Sequence, residues 1–202
     1  MKKFFSKFIF SFKKPLFVGV IGDDWLQMKK IISYLLDSDP LIKNSYLVLG
    51  SNLSNLRGIS DLKFFFKKSK LPVLLLTEIF DNENKISEIK RIIECLPKKG
   101  FLVVNSDSDL TQQLKRKAKA QILTYGFQSG ARLRGSDVRV DENETNFKVS
   151  FDGNIVPFWL NRPFKRKDIY NFLAAISVAR IQGINLVEIS QSLREIGNRD
   201  EN

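Results

Sequence analysis

Apolar residues in this chain gather into short runs, separated by longer stretches where they recur every three or four positions. The runs Leu16 to Ile21, Tyr46 to Leu49, Pro72 to Thr77, Phe101 to Val104 and Gln121 to Tyr125 predict strands, most of them apolar enough to be covered on both faces. The stretches Leu26 to Leu36, Asp61 to Lys70, Ile86 to Leu96 and Leu110 to Ala118 have helical spacing. Strand and helix therefore alternate from 16 to 126, which predicts a doubly wound, mostly parallel α/β sheet.

The pattern changes after residue 126. Ala131 to Val140, Thr145 to Phe151 and Ile155 to Leu160 read as strands of a small antiparallel excursion at about 131–160, with Asp152-Gly153-Asn154 as a tight hairpin. Two helices follow, Lys167 to Gly183 and Leu186 to Ile196, with Gly183 placed to end the first and Asn185 to cap the second. The expected organisation is a basic amphipathic segment at 1–14, one domain at 15–196 and a frayed tail at 197–202.

The leading segment has its own pattern. On a helical wheel Phe4, Phe5, Phe8, Ile9 and Phe12 share a face, Lys3, Lys7 and Lys14 lie opposite, and Phe10 breaks the arrangement. Two readings stand side by side: the phenylalanines and the flanking Lys3 and Lys7 contact a membrane interface, or the phenylalanines pack on the domain's own surface. Lysines interrupt the apolar stretch and no small-residue cleavage site follows, so the segment reads as retained, not as a signal peptide.

Composition narrows the chemistry. With 202 residues and 43% apolar content the chain can bury a core. A single cysteine, Cys95, expected to be an inert core residue, fits a reducing compartment, so the cytoplasm is the expected location. The absence of histidine excludes His-based nucleophile pairs, His-ligated zinc and imidazole acid-base steps, and no metal site is expected. The net charge of +11 implies an anionic partner: acidic lipid, a phosphorylated ligand or nucleic acid. Nucleic acid is the least favoured, because basic and aromatic residues interleave only in the N-terminal segment.

The segment Phe17 to Lys30 has the strand, two glycines (Gly19 and Gly22) and helix of a phosphate-binding loop, yet Leu26 and Gln27 stand where a lysine and a Ser or Thr belong. Leu26 and Gln27 supply neither an ammonium for the phosphate nor a hydroxyl for magnesium. Asp23 and Asp24 suit the dipole at the helix start but repel phosphate. An ordinary strand-to-helix turn is the simpler account; weak binding through backbone N–H groups is the alternative.

Taken in order, the segments resemble the central, ATP-binding domain of the Mur ligases, which add amino acids to peptidoglycan precursors. Phe101-Leu-Val-Val-Asn-Ser-Asp107 looks like the family's "VLNADD", and Ala118 to Gly126 resembles "AKVLTFG". Gly135 to Arg139 and the hairpin after it match the antiparallel insertion. Lys167-Asp-Ile-Tyr-Asn171 with Leu173-Ala-Ala175, then Gly183-Ile184, resemble "HNxxNxLAA" and "LGI". The loop Gly50 to Gly58 is similar to "GNLNNxIG".

The resemblance implies ATP, magnesium and amide formation, but the departures oppose each. The family's loop lysine and its metal-binding hydroxyl fall on Leu26 and Gln27, its carbamylated lysine near Glu88 and Ile89, and Lys167 and Asp168 replace His and Asn of the adenine-side motif. The segment from Ser60 to Leu71 is too short for the family's metal-binding Glu. The resemblance leaves Gly19, Gly22, Asn105 and Asn171 as vestigial nucleotide contacts, though Asn105, Asp107 and Asn171 also serve as cap or turn residues. The family's flanking domains are missing from the matched pattern, so a complete ligase is not expected from this chain by itself. The expectation is a non-catalytic relative without a cofactor, whose partners are cell-wall biosynthesis enzymes and an inner-membrane surface. The alternative is a ligase subunit that uses ATP and magnesium once another chain completes it.

Overall fold

The computed structural model describes residues 10, 11, 13–52, 59–77 and 83–196. The expected contacts Lys3, Phe4, Phe5, Lys7, Phe8 and Phe12 lie outside them, as do most of the Gly50 to Gly58 loop and the tail. In chain order the elements are β1 Leu16–Ile21, α1 Trp25–Asp37, β2 Tyr46–Ser51, α2 Ile59–Lys68, β3 Pro72–Leu76, α3 Glu83–Glu94 and β4 Phe101–Asn105. They continue as α4 Leu110–Lys115, β5 Gln121–Gly126, β6 Leu133–Val140, β7 Thr145–Phe151, β8 Asn154–Leu160, α5 Arg166–Ile181 and α6 Leu186–Ile196.

One eight-stranded sheet runs in the order β2-β1-β3-β4-β5-β6-β7-β8. Pairing is parallel from β2 through β6 and antiparallel from β6 to β8. The expected excursion is therefore an extension of the main sheet, joined to it by Tyr125 beside Leu133 and Gly126 beside Arg134. Its hairpin turns at Asp152 and Gly153, whose φ angles of 47° and 84° are both positive, as a two-residue turn between right-twisted strands requires.

Alternation along the central strands builds a core on each face. Val18, Val20, Val73, Leu75 and Val103 pack under α1, α5 and α6, whereas Phe17, Ile21, Leu74, Leu76, Leu102 and Val104 face α2, α3 and α4. Helix α5 is buried nearly all round, from Ile169 to Ala179 with only Tyr170 in that span more exposed, because it lies between the sheet and α1 and α6. Its C-terminal Gly183 has φ 102°, and the Asn185 side chain accepts the amides of Val187 and Glu188 at 3.0 and 2.9 Å to start α6.

Two expectations change. The helix expected to reach Ala118 ends at Lys115, where Lys117 and Ala118 donate to carbonyls only three residues back and tighten the chain toward β5. Phe10, the residue that broke the amphipathic pattern and the one phenylalanine of that segment among the described residues, is buried by the domain at 5% exposure. Its ring meets Phe65 edge-on at 4.7 Å and Phe17 at 6.2 Å, so this end of the leading segment packs on the domain. Cys95 is half-buried just beyond α3 against the same core. Among the described residues no helix is long and apolar enough to cross a membrane.

Candidate functional site

Only Gly22, Asp23 and Asp24 connect β1 to α1, so the presumed phosphate loop is a three-residue turn. Gly19, grouped with Gly22 by sequence, is not in the turn: it pairs with Leu49 and Leu74 inside the sheet, and a Cβ there would meet Phe17 and Phe66 at 3.6 Å. A strand interior filled on both sides offers no approach to a ligand. The Gly22 amide donates to the Ser51 carbonyl at 3.2 Å, and the Trp25 amide to the Gly22 carbonyl at 3.3 Å. Those donors are spent within the protein.

The first residues of α1 complete the turn with side chains. Trp25 lies across β2 so closely that a Cβ on Gly50 would sit 2.5 Å from its ring, which is why that position accommodates glycine. Leu26 points to solvent at 55% exposure, and Gln27 is also exposed. The Asp24 carboxylate is largely buried and meets the Lys167 ammonium from α5 at 3.1 Å. An ion pair with its lysine half exposed thus spans the helix starts of α1 and α5.

Beside this pair, a cavity of about 510 Å³ opens at the carboxyl ends of β3, β4 and β5. In open α/β sheets this edge is where ligands bind, because strand ends and helix starts expose backbone and loop side chains there. Thr77, Asn105, Asp107 and Tyr125 supply one wall, and Arg166, Tyr170 and Asn171 from the start of α5 supply another.

Most polar groups in these walls are engaged. Asp107 accepts the Phe127 amide at 2.7 Å, the Tyr170 hydroxyl at 2.8 Å, and the Gln128 amide and Ser106 hydroxyl at 3.2 Å. Burial pushes its carboxyl up, but these four hydrogen bonds outweigh it and hold the group below the usual carboxylate value. Tyr170 shifts the other way: burial and the adjacent carboxylate raise its phenol against the opposing effect of Arg166. Gly126, at φ 157°, leaves room for this knot, since a Cβ would lie 2.4 Å from an Asp107 oxygen. Asn105 uses its side-chain oxygen on the Asp107 amide at 2.9 Å, while its carbonyl takes the Thr111 hydroxyl. Tyr125 donates to the Leu76 carbonyl at 3.3 Å, and Thr77 to the Ile21 carbonyl at 3.4 Å.

Asn171 and Asp24 differ, since each has a buried atom without a hydrogen bond. Asn171 is 6% exposed, lines the cavity, and its amide nitrogen is buried without a hydrogen-bond partner. A buried donor left unpaired costs about 1–3 kcal/mol. The fold brings Asn105 and Asn171 to one cavity, places Gly22 in the turn beside it, and sends Gly19 elsewhere. Sequence reasoning missed the Asp107–Tyr170 bond and the Asp24–Lys167 pair, whose partners are 63 and 143 positions apart and carry no local signal.

Known proteins show the same architecture. The family model described as the Mur ligase middle domain matches residues 77–179. A UDP-N-acetylmuramate–L-alanine ligase of Alkaliphilus metalliredigens is 30% identical over 115 residues, 56% of this chain and 25% of that protein. The corresponding ligase of Aquifex aeolicus is 29% identical over 124 residues, 61% of this chain and 27% of its own length. Among solved structures, a UDP-N-acetylmuramoylalanyl-D-glutamyl-2,6-diaminopimelate–D-alanyl-D-alanyl ligase from Acinetobacter baumannii superposes with a TM-score of 0.75 at 14% identity, over 94% of this chain and 47% of that one. The MurF ligase of Thermotoga maritima, solved in complex with ADP, gives 0.69 at 18% identity, over 92% and 50%. The chain spans about a quarter of the length of the two sequence relatives.

Proposed function

The chain belongs to the Mur ligase middle-domain family, and on that premise we propose that it keeps the family's fold without its ATP chemistry, acting as a scaffolding or regulatory protein in peptidoglycan precursor synthesis. The observation that carries this reading is the Asp24–Lys167 ion pair at the β1–α1 turn. It puts a carboxylate, already neutralised from within, at the helix start where a phosphate would be held. Leu26 and Gln27 add no ammonium and no hydroxyl, and the Gly22 and Trp25 amides are already bonded. The residues present therefore do not fit a magnesium-bound triphosphate, and we derive no step through one.

The reading places the protein in the cytoplasm beside the ligases, which the single cysteine supports. Its partners are then cell-wall biosynthesis enzymes. Isothermal titration with Mg-ATP tests it: no saturable heat is expected, and micromolar binding overturns it.

One observation favours a second reading, a ligase subunit completed by a partner chain. The unpaired Asn171 amide faces a cavity, at a position that resembles the family's adenine-side Asn. In this reading ATP and magnesium bind only in the complex. It predicts ATP-dependent phosphate release on mixing with the partner chain and none from either protein by itself.

A further inference from the structure

Five parallel strands, β1 to β5, begin at one edge of the sheet, so every segment leading into them meets there. Segments 13–15, 37–45, 67–71, 94–100 and 115–120 do so, and together they hold twelve of the chain's 33 basic residues against three acids, Asp37, Asp39 and Glu94, the last paired with Lys117 at 3.8 Å. Eleven of the twelve are exposed, with Lys115 half-buried. In sequence these residues look dispersed; parallel pairing gathers them.

Cross-bonds hold the edge together. The Ser69 hydroxyl donates to the Pro15 carbonyl at 2.9 Å, the Lys99 ammonium donates to the Ser69 carbonyl, and the Gln121 amide donates to the Gly100 carbonyl at 3.0 Å. Segments before β1, β3, β4 and β5 are thereby joined side by side. The loop before β2 differs: Leu41, 90% exposed with its amide fixed by the Asp39 carboxylate at 2.8 Å, lines a cleft with Asp37, Asp39, Glu188 and Glu195, so the cations concentrate before β1, β3, β4 and β5. Among the described residues the opposite edge, around the cavity, has no such bias: Asp23, Asp24, Asp107 and Asp109 sit there with Arg166 and Lys167.

Five strands set side by side make an edge roughly 20 Å wide, given about 4.8 Å between neighbours. A field of cations of this width matches an extended anionic surface such as a bilayer leaflet. Nucleic acid fits less well, because single strands want aromatic faces for stacking, and Leu41 is the large apolar residue exposed on this edge. The chain also enters the domain here, through Lys13 and Lys14, directly after the stretch bearing Lys2, Lys3 and Lys7 among Phe4, Phe5 and Phe8.

We propose that the strand-start edge of the sheet, where the segments before β1, β3, β4 and β5 meet, is an electrostatic docking face for an anionic lipid bilayer. Docking in this way turns the cavity at the strand ends away from the membrane. The inference stands on the placement of charge and holds whether or not a nucleotide binds.

The test is sedimentation of the full chain with phosphatidylcholine vesicles containing about one-quarter phosphatidylglycerol. Each lysine near such a surface changes partitioning about fivefold. The variant Lys67→Gln/Lys70→Gln/Lys98→Gln is expected to partition about a hundredfold more weakly. Arg139→Gln/Lys148→Gln/Lys165→Gln, which removes the same charge elsewhere, is expected to stay within about threefold of the parent. Circular dichroism melts establish that both variants fold. Should either fail, the single variants Lys70→Gln and Lys148→Gln make the same distinction, with about fivefold weaker partitioning expected of the first and no weakening of the second. Equal loss in both variants would show net charge alone at work and overturn the proposal. So would absence of vesicle binding, or binding to duplex DNA that the first variant weakens while vesicle binding is unchanged.

Discussion

The Tyr170 hydroxyl donates to the Asp107 carboxylate at 2.8 Å and so ties the turn after β4 to the first turns of α5. Both residues line the cavity, and the same carboxylate holds the two amides that follow β5. One side chain therefore fixes three segments that meet at the edge where this fold places its sites.

Removing that bond has a bounded cost. Tyr170→Phe keeps the ring that meets Phe127 edge-on at 4.8 Å and loses only the hydroxyl. A half-buried hydrogen bond to a charged acceptor is worth about 1.5 kcal/mol, which for a chain of this size lowers Tm by roughly 3–6 °C. Differential scanning calorimetry reads the shift. An unchanged Tm would mean that water replaces the hydroxyl without loss.

The same knot sets an acid limit. Asp107 has a folded pKa depressed below its unfolded value, so its contribution to stability is complete above the unfolded pKa, about 3.9, and is lost as pH falls through the folded pKa. Melting followed from pH 5 downward is expected to show a decline that is shallower in Asp107→Asn. Parallel pH profiles for the two proteins would assign the acid sensitivity to other carboxylates.

Gly50 and Trp25 form a steric pair. Gly50→Ala puts a methyl 2.5 Å from the Trp25 ring and is expected to cost about 1–3 kcal/mol in urea unfolding. In the double variant Gly50→Ala/Trp25→Ala the methyl has room, so the costs are expected to be less than additive. Strict additivity would show that the two residues do not meet.

Phe10 reports on the leading segment. Its burial among Phe17, Phe64 and Phe65 implies that Phe10→Ala destabilises the domain by about 3 kcal/mol, as loss of a core aromatic does. Chemical denaturation measures this without lipid. A variant as stable as the parent would show that Phe10 contributes nothing to the core.

Much of the architecture was legible in the chain because burial on two faces writes itself locally. Pro72 to Leu76 is apolar at every position, and the strand it predicts lies in the middle of the sheet with alternate side chains in the two cores. Asp152-Gly153 announced its hairpin because few other pairs tolerate two positive φ angles. The helix after Leu110 was read too long because a run of lysines has good helix propensity and says nothing of where the next strand must begin.

The site was less legible. Leu26 and Gln27 could be recognised as unsuited to phosphate from their chemistry alone, and Asn105 and Asn171 could be named as candidates. Gly19 was misplaced because a glycine before a turn and a glycine inside a packed strand look alike in sequence. What sequence by itself determined was the class of fold, the family resemblance and the presence of Leu26 and Gln27 where a phosphate loop has a lysine and a hydroxyl, since these depend on residue type and short spacing. Tertiary structure alone decided that Lys167 neutralises Asp24, that Tyr170 locks Asp107, and that lysines preceding four separate strands form one basic edge. Each of these depends on which distant segments the parallel sheet sets side by side, and pairing at that range leaves no local pattern to read.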